Sequence, residues 1–77
     1  MKRIRWGILS TGKIAGSFTE DIKHVPDAEV VAVGSRNQAT ADAFGNKYNI
    51  SNRHPSYESL ANDSDVDVIY IATPHVF

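Results

Sequence analysis

The sequence predicts a doubly wound α/β fold with a parallel sheet, and three observations lead there. Two apolar runs, Val30-Val31-Ala32-Val33 and Val68-Ile69-Tyr70-Ile71, are nearly continuous, as strands covered by helices on both faces require. Between such runs the apolar spacing changes to that of an amphipathic helix. A breaker cluster, Ser10-Thr11-Gly12, divides the first strand-like run from the first helical one.

Taken in order, Arg3 to Leu9 carries Ile4, Trp6, Ile8 and Leu9 and reads as a buried strand. Ile14, Phe18 and Ile22 then fall at i, i+4 and i+8 beside Ala15, with Lys13, Thr19, Glu20 and Lys23 polar, which predicts one amphipathic helix ended by Pro26 and Asp27. Glu29 to Gly34 is the second strand. Asn37 is placed to cap a second helix over Gln38 to Tyr48, with an inner face of Thr40, Ala43, Phe44 and Tyr48 and a weak point at Gly45. Asn49 to Pro55 is polar, so a third strand there must be short, and Ser56 caps a brief helical turn through Tyr57, Leu60 and Ala61. Val66 to Ala72 is the last strand, closed by Thr73-Pro74. The pattern β-α-β-α-(β)-α-β with right-handed crossovers gives the strand order 3-2-1-4. That order sets the carboxyl ends of the first and fourth strands side by side, where open α/β sheets bind ligands. Those ends are Ser10 to Lys13 and Thr73 to His75.

Bulk properties narrow the ligand. With 77 residues the chain holds one small core at most and buries only about 60% of its unfolded surface, so a partner chain is the expected cover for the rest. Hydrophobic residues at 42% and charged residues at 22% describe a globular chain and exclude a disordered one. A net charge of -1 supplies no basic field, which argues against nucleic acid and anionic membrane and for a small ligand recognised locally. There is no cysteine, so no disulfide framework or thiolate metal site, and a cytoplasmic location is the expectation. Trp6, Gly7 and Ser10 to Lys13 interrupt the start too early for an export signal, and no run is long enough to span a membrane. His24, His54 and His75 lack metal-ligand spacing, and Asp63, Asp65 and Asp67 lack the glycine and distal Glu of a calcium loop, so they read as a turn.

The segment Gly7 to Gly16 lies where a phosphate cradle belongs, between strand and helix. Aligned as Ser10-x-Gly12-x-x-Ala15 it is a G-x-G-x-x-G/A dinucleotide fingerprint with Ser in place of the first glycine. In that alignment Gly12 admits the pyrophosphate, Ala15 lets the helix pack closely, and Thr11 and Lys13 add contacts. Gly7 to Lys13 also spells the start of a P-loop, but Ile14 stands where Ser or Thr must ligate Mg²⁺. Thr11, Gly12 and Gly16 fit the T-G-x-x-x-G of short-chain dehydrogenases, with Phe18 against that reading. A plain strand-to-helix turn is the fourth possibility. The second strand ends in Gly34-Ser35-Arg36-Asn37 rather than in the usual acid, and Ser35 and Arg36 suit a 2'-phosphate, so NADP is favoured over NAD. An arginine there can also stack on the adenine of either cofactor, or be a solvated loop charge.

Four segments in order, Arg5-Trp6-Gly7-Ile8-Leu9-Ser10-Thr11-Gly12-Lys13-Ile14-Ala15, Val31-Ala32-Val33-Gly34-Ser35-Arg36, Pro55-Ser56-Tyr57-Glu58-Ser59-Leu60 and Asp67-Val68-Ile69-Tyr70-Ile71-Ala72-Thr73-Pro74-His75, resemble the glucose-fructose oxidoreductase, inositol dehydrogenase and MocA family. The resemblance implies a two-domain NAD(P)-dependent oxidoreductase acting on sugars, inositols, dihydrodiols and related polyols, with residues 1–77 as the N-terminal half of its Rossmann domain. It further implies that Ser10, Thr11, Gly12, Lys13 and Ile14 hold the pyrophosphate, Ser35 and Arg36 the adenosine end, and Ala72, Thr73, Pro74 and His75 the nicotinamide ribose side. The family's catalytic lysine, in a Glu-Lys-Pro segment, would follow the next helix and strand, so no catalytic residue is expected here and the chain alone is expected to be inactive. Val66 to Ala72 would leave an open apolar edge, which predicts a homo-oligomer. A non-catalytic nucleotide-binding module that self-associates is the alternative.

Overall fold

The computed structural model describes residues 3–10 and 12–72. Strands β1 (Ile4–Leu9), β2 (Ala28–Gly34), β3 (Asn52–His54) and β4 (Val68–Ile71) alternate with helices α1 (Lys13–Ile22), α2 (Gln38–Tyr48) and α3 (Tyr57–Ala61). The strands form one parallel sheet in the order β3-β2-β1-β4, as the alternation of elements predicts. The register of β1 on β2 shifts between Trp6 and Gly7.

Side chains alternate across a sheet, so Gly7 and Ile8 serve opposite faces. Ile8 and Val33 pack with Ala15 of α1, Ala41 and Phe44 of α2, Ile50 and Ala72, flanked by Phe18, Val30, Tyr48 and Tyr70. Phe18 stacks on Tyr70 with ring centroids 4.1 Å apart, and Trp6 meets Phe18 edge-on. On the other face fully buried Leu60 of α3 sits over Gly7 and Gly34.

The helix faces differ from the expected ones. On α1 the buried residues are Ala15, Gly16, Thr19 and Ile22, while Ile14 is 51% exposed in the first turn. Thr19 is tolerated in the core because its hydroxyl donates to the Ala15 carbonyl at 2.8 Å, satisfying the polar group within the helix. On α2 the buried residues are Ala41, Phe44 and Gly45, and both Thr40 and Ala43 face outward. Gly45 leaves room for another side chain: a Cβ there would meet Nε of Arg53 where it now lies, crossing the helix to donate to the Ile50 carbonyl.

The last strand is shorter than Val66 to Ala72. The Val66 N–H donates to the Asp63 carbonyl in a turn, and Val66 packs on Gly7. Pairing begins when the Asp67 N–H reaches the Arg5 carbonyl, and Arg5 also holds the Asp67 and Asp65 carboxylates at 3.3 and 3.7 Å. The three aspartates thus form the turn their spacing suggests, the Asp65 N–H donating to Asp63 Oδ1.

Candidate cofactor site

The carboxyl ends of β1, β2 and β4 meet at one edge of the sheet. The Ser10 N–H donates to the Gly34 carbonyl, and the Ala72 N–H donates to the Leu9 carbonyl, so the three strand ends are fastened together. Ser10 leaves β1 with φ of 109°, a backbone conformation glycine adopts freely and serine does not. This is the position of the first fingerprint glycine, and holding a serine there costs about 1–3 kcal/mol. Its hydroxyl accepts the Gly12 N–H at 3.4 Å.

Gly12 is the N-cap of α1, and no side chain caps the helix. No acid lies in the first turn, which is flanked by exposed Lys13 and Ile14. The first-turn N–H groups are therefore left for solvent or an anion, and the positive end of the helix faces that opening. A Cβ on Gly12 would meet only Ser10 Oγ, at 3.9 Å, so the space beside it is open and suits a phosphate brought close to the backbone. Residues of this kind fit a dinucleotide pyrophosphate. An open groove of about 920 Å³ runs from Gly12 and Lys13 between α1 and α2, past Thr40 and Phe44, to Tyr48.

Gly16, which suggested a short-chain dehydrogenase pattern, has a packing task. The Tyr48 hydroxyl lies 2.6 Å from where its Cβ would be.

At the end of β2 the Ser35 N–H donates to the His54 carbonyl, and the Ser35 hydroxyl bonds the Thr40 hydroxyl. Asn37 caps α2 through Oδ1, which accepts the Thr40 N–H at 2.9 Å. Arg36 is exposed and makes no ion pair among the described residues. Ser10, Gly12, Lys13, Ile14, Ser35, Arg36 and Ala72 therefore border one end of the sheet, Ala72 being buried at 3% exposure and able to contribute backbone alone. Thr11, Thr73, Pro74 and His75 lie outside the described residues.

Two groupings escaped the sequence reading. Thr40 belongs with Ser35 and Asn37, not with the core; the signal was Asn37 three residues before a hydroxyl residue. His54, given no role by its spacing, is in β3 with Nδ1 2.7 Å from Ser59 Oγ and Nε2 2.8 Å from Asp63 Oδ2. Asn52 donates to the same Asp63 oxygen. Burial works to raise the Asp63 pKa, but hydrogen bonds from His54, the Asp65 N–H and Asn52, with the charge on His54, outweigh it and hold the carboxyl below its usual value. This cluster ties β3 to the end of α3. No metal-binding group of His, Asp or Glu, and no helix long and apolar enough to cross a membrane, occurs among the described residues.

Comparison with known proteins places this geometry. The trans-1,2-dihydrobenzene-1,2-diol dehydrogenases of Mus musculus and Homo sapiens are 47% and 43% identical to the chain over 74 residues, which is 94% of this chain and 22% of each relative. The chain thus spans less than a quarter of their length. A 3-ketoreductase from Actinomadura kijaniata, solved in complex with NADP, superposes with a TM-score of 0.86 at 27% identity, over 95% of this chain and 23% of that one. The WlbA dehydrogenase from Bordetella pertussis, solved with NADH and UDP-GlcNAcA, shares the fold at a TM-score of 0.82 and 22% identity, over 95% of this chain and 23% of that one. The family described as an oxidoreductase family with an NAD-binding Rossmann fold matches residues 4–76, and the chain belongs to it: the glucose-fructose oxidoreductase, inositol dehydrogenase and MocA family.

Proposed function

We propose that the chain is the cofactor-holding segment of an oxidoreductase that moves hydride between a nicotinamide dinucleotide and a sugar, inositol, dihydrodiol or related polyol, with NADP favoured over NAD. The observation that carries the proposal is the uncapped start of α1 behind Ser10 and Gly12, set beside a β2 end that bears an exposed Arg36 and no acid. The dihydrodiol dehydrogenases and the NADP-bound ketoreductase support the class of chemistry.

When bound, the dinucleotide supplies or accepts the hydride. This chain's part is to hold it. The first turn of α1 faces the pyrophosphate with backbone N–H groups, Lys13 adds positive charge beside them, and Arg36 offers a planar donor pair to a 2'-phosphate. The backbone near Ala72 keeps the β4 end against β1, on the side assigned to the nicotinamide ribose. None of the described residues is given a proton-transfer role, so binding without turnover is the expected behaviour of the 77-residue chain. Calorimetric titration with NADPH and NADH, beside a Gly12→Asp variant, tests this: binding that is stronger for NADPH and lost in the variant agrees with it, and no binding of either cofactor counts against it.

The exposed edge of β4 favours the alternative, a non-catalytic nucleotide-binding module that self-associates. Val68 and Ile71 of the edge strand β4 are 41% and 55% exposed. Edge pairing with a second copy would cover them. Sedimentation equilibrium of the chain is expected to show a concentration-dependent dimer, and a monomer at every concentration would exclude this reading.

A further inference from the structure

We infer that Thr40 sets the balance between the two cofactors by fixing where the Ser35 hydroxyl sends its proton. The inference rests on the dinucleotide reading above and concerns the adenosine end of that site.

The Thr40 hydroxyl has one hydrogen and three oxygen neighbours: Asn37 Oδ1 at 3.1 Å, the Asn37 carbonyl at 3.2 Å, and Ser35 Oγ. Asn37 Oδ1 is fixed as the oxygen of its amide because it faces the Thr40 N–H, which can only donate. Both Asn37 atoms are thus pure acceptors. If Thr40 donated to Ser35, its lone pairs would confront two acceptor oxygens with no hydrogen between them. Thr40 therefore donates to Asn37, and Ser35 donates to Thr40. The relay runs from Ser35 through Thr40 to the cap of α2.

Ser35 is left with lone pairs only. It can accept from a ribose 2'-hydroxyl, which is the task of the acid that usually ends the second strand. A 2'-phosphate carries acceptor oxygens and finds no donor in Ser35 unless the relay reverses, and reversal forfeits the bond from Thr40 to Asn37. Arg36, in contrast, favours the phosphate. The two residues at this strand end work against each other, so the preference for NADPH that Arg36 confers is smaller than Arg36 and a donating Ser35 together would give. Thr40 lies in the groove that begins at Gly12 and Lys13, so the relay borders the same ligand path.

Thr40→Val removes the oxygen that takes the Ser35 proton. It keeps the side-chain shape and the backbone N–H that Asn37 caps, at an exposed position where folding is not threatened. Freed, Ser35 can donate to a 2'-phosphate. Titration of the chain with each cofactor is expected to give an affinity ratio, NADPH to NADH, raised about tenfold in Thr40→Val. Thr40→Ser is expected to retain the wild-type ratio, and adding Ser35→Ala to Thr40→Val to abolish the gain. A Thr40→Val ratio equal to wild type, with both cofactors still bound, overturns this inference alone. A gain that persists without the Ser35 hydroxyl also overturns it. Failure of the wild-type chain to bind either cofactor removes the dinucleotide reading, and this one with it.

Discussion

The starts of α1 and α2 are built on the same plan and finished differently. Each helix follows the carboxyl end of a strand across three residues, Ser10-Thr11-Gly12 or Ser35-Arg36-Asn37, at the same edge of the sheet. At α2 the third residue turns its side chain back onto the Thr40 N–H and closes the end. At α1 the third residue has no side chain, and the residue two before it holds a positive φ. The α3 start follows the α2 solution, with the Ser56 hydroxyl accepting the Ser59 N–H. A capping side chain contributes about 1 kcal/mol over alanine but only a few tenths over glycine, so α1, with Gly12 at its cap, forgoes a small stabilisation that its neighbours take. An end left open by the chain itself is what an anion needs, and the difference between two equivalent turns is a stronger functional signal than the glycines alone.

The largest expected effect comes from closing α1. Gly12 has φ of -79° and ψ of -172°, a conformation any residue adopts, and the nearest atom to an added Cβ is 3.9 Å away. Gly12→Asp should therefore convert α1 to a capped helix. Its melting temperature should stay level or rise slightly, since Asp exceeds Gly as a cap by only a few tenths of a kcal/mol. Its carboxylate would occupy the place proposed for the pyrophosphate, and cofactor affinity should fall on the order of 100-fold or more. Calorimetry and thermal melts of one preparation check both halves. A variant that lost binding only because it unfolded would break the comparison.

The opposite change, opening α2, is expected to act on stability. Asn37→Ala should lower the unfolding free energy by about 1 kcal/mol, read by denaturant titration of the fluorescence of Trp6, the single tryptophan. It should not create a second anion site, because Ser35 and Thr40 remain at the mouth of that helix. Equal losses of cofactor affinity in Asn37→Ala and Gly12→Asp would mean that the two ends do not divide their labour.

How much of this was legible depends on whether the signal is local. Asn37 and Ser56 announce helix starts through their own chemistry, and α2 begins and ends where the pattern puts it. The strand order follows from alternation and handedness, which are also carried by short stretches of sequence. The helix faces were misread for two reasons, a residue arriving from another strand and a hydroxyl satisfied within its own helix. Arg53 arrives from β3 to lie on α2 over Gly45, which makes Gly45 an inward position, while Thr40 is held at the helix start by Asn37 and Ser35. Thr19 satisfies its hydroxyl within its own helix, so a residue polar by type serves as core. The open start of α1 was visible as a degenerate fingerprint, but the Ser35 relay was not, because it needs the Asn37 cap in place before Thr40 faces Ser35. Helix starts and strand order were readable; the Thr19 hydroxyl turned onto its own helix, the hydroxyl pair beside the Asn37 cap and the crossing Arg53 were not.

The smallest effect is confined to acid and tests what braces the closed end. The His54 carbonyl accepts the Ser35 N–H, and the His54 ring is held between Ser59 and Asp63. Asp63 has a folded-state pKa below its usual value because the hydrogen bonds from His54, Asp65 and Asn52 overcome the opposing effect of burial. A carboxyl whose pKa is depressed on folding stabilises the folded state fully above its unfolded pKa, about 3.9. That contribution is lost as pH falls through the lower folded value. Unfolding free energy measured from neutral pH down to about 3 should therefore decline in the wild type with a component that Asp63→Asn removes. At neutral pH the variant should be the less stable of the two, because the neutral amide that replaces the carboxylate cannot offer a charged acceptor to both His54 and Asn52. Parallel wild-type and variant pH curves would show that Asp63 titrates alike in both states, and that the brace behind Ser35 rests on packing of β3 against α3 rather than on this carboxylate.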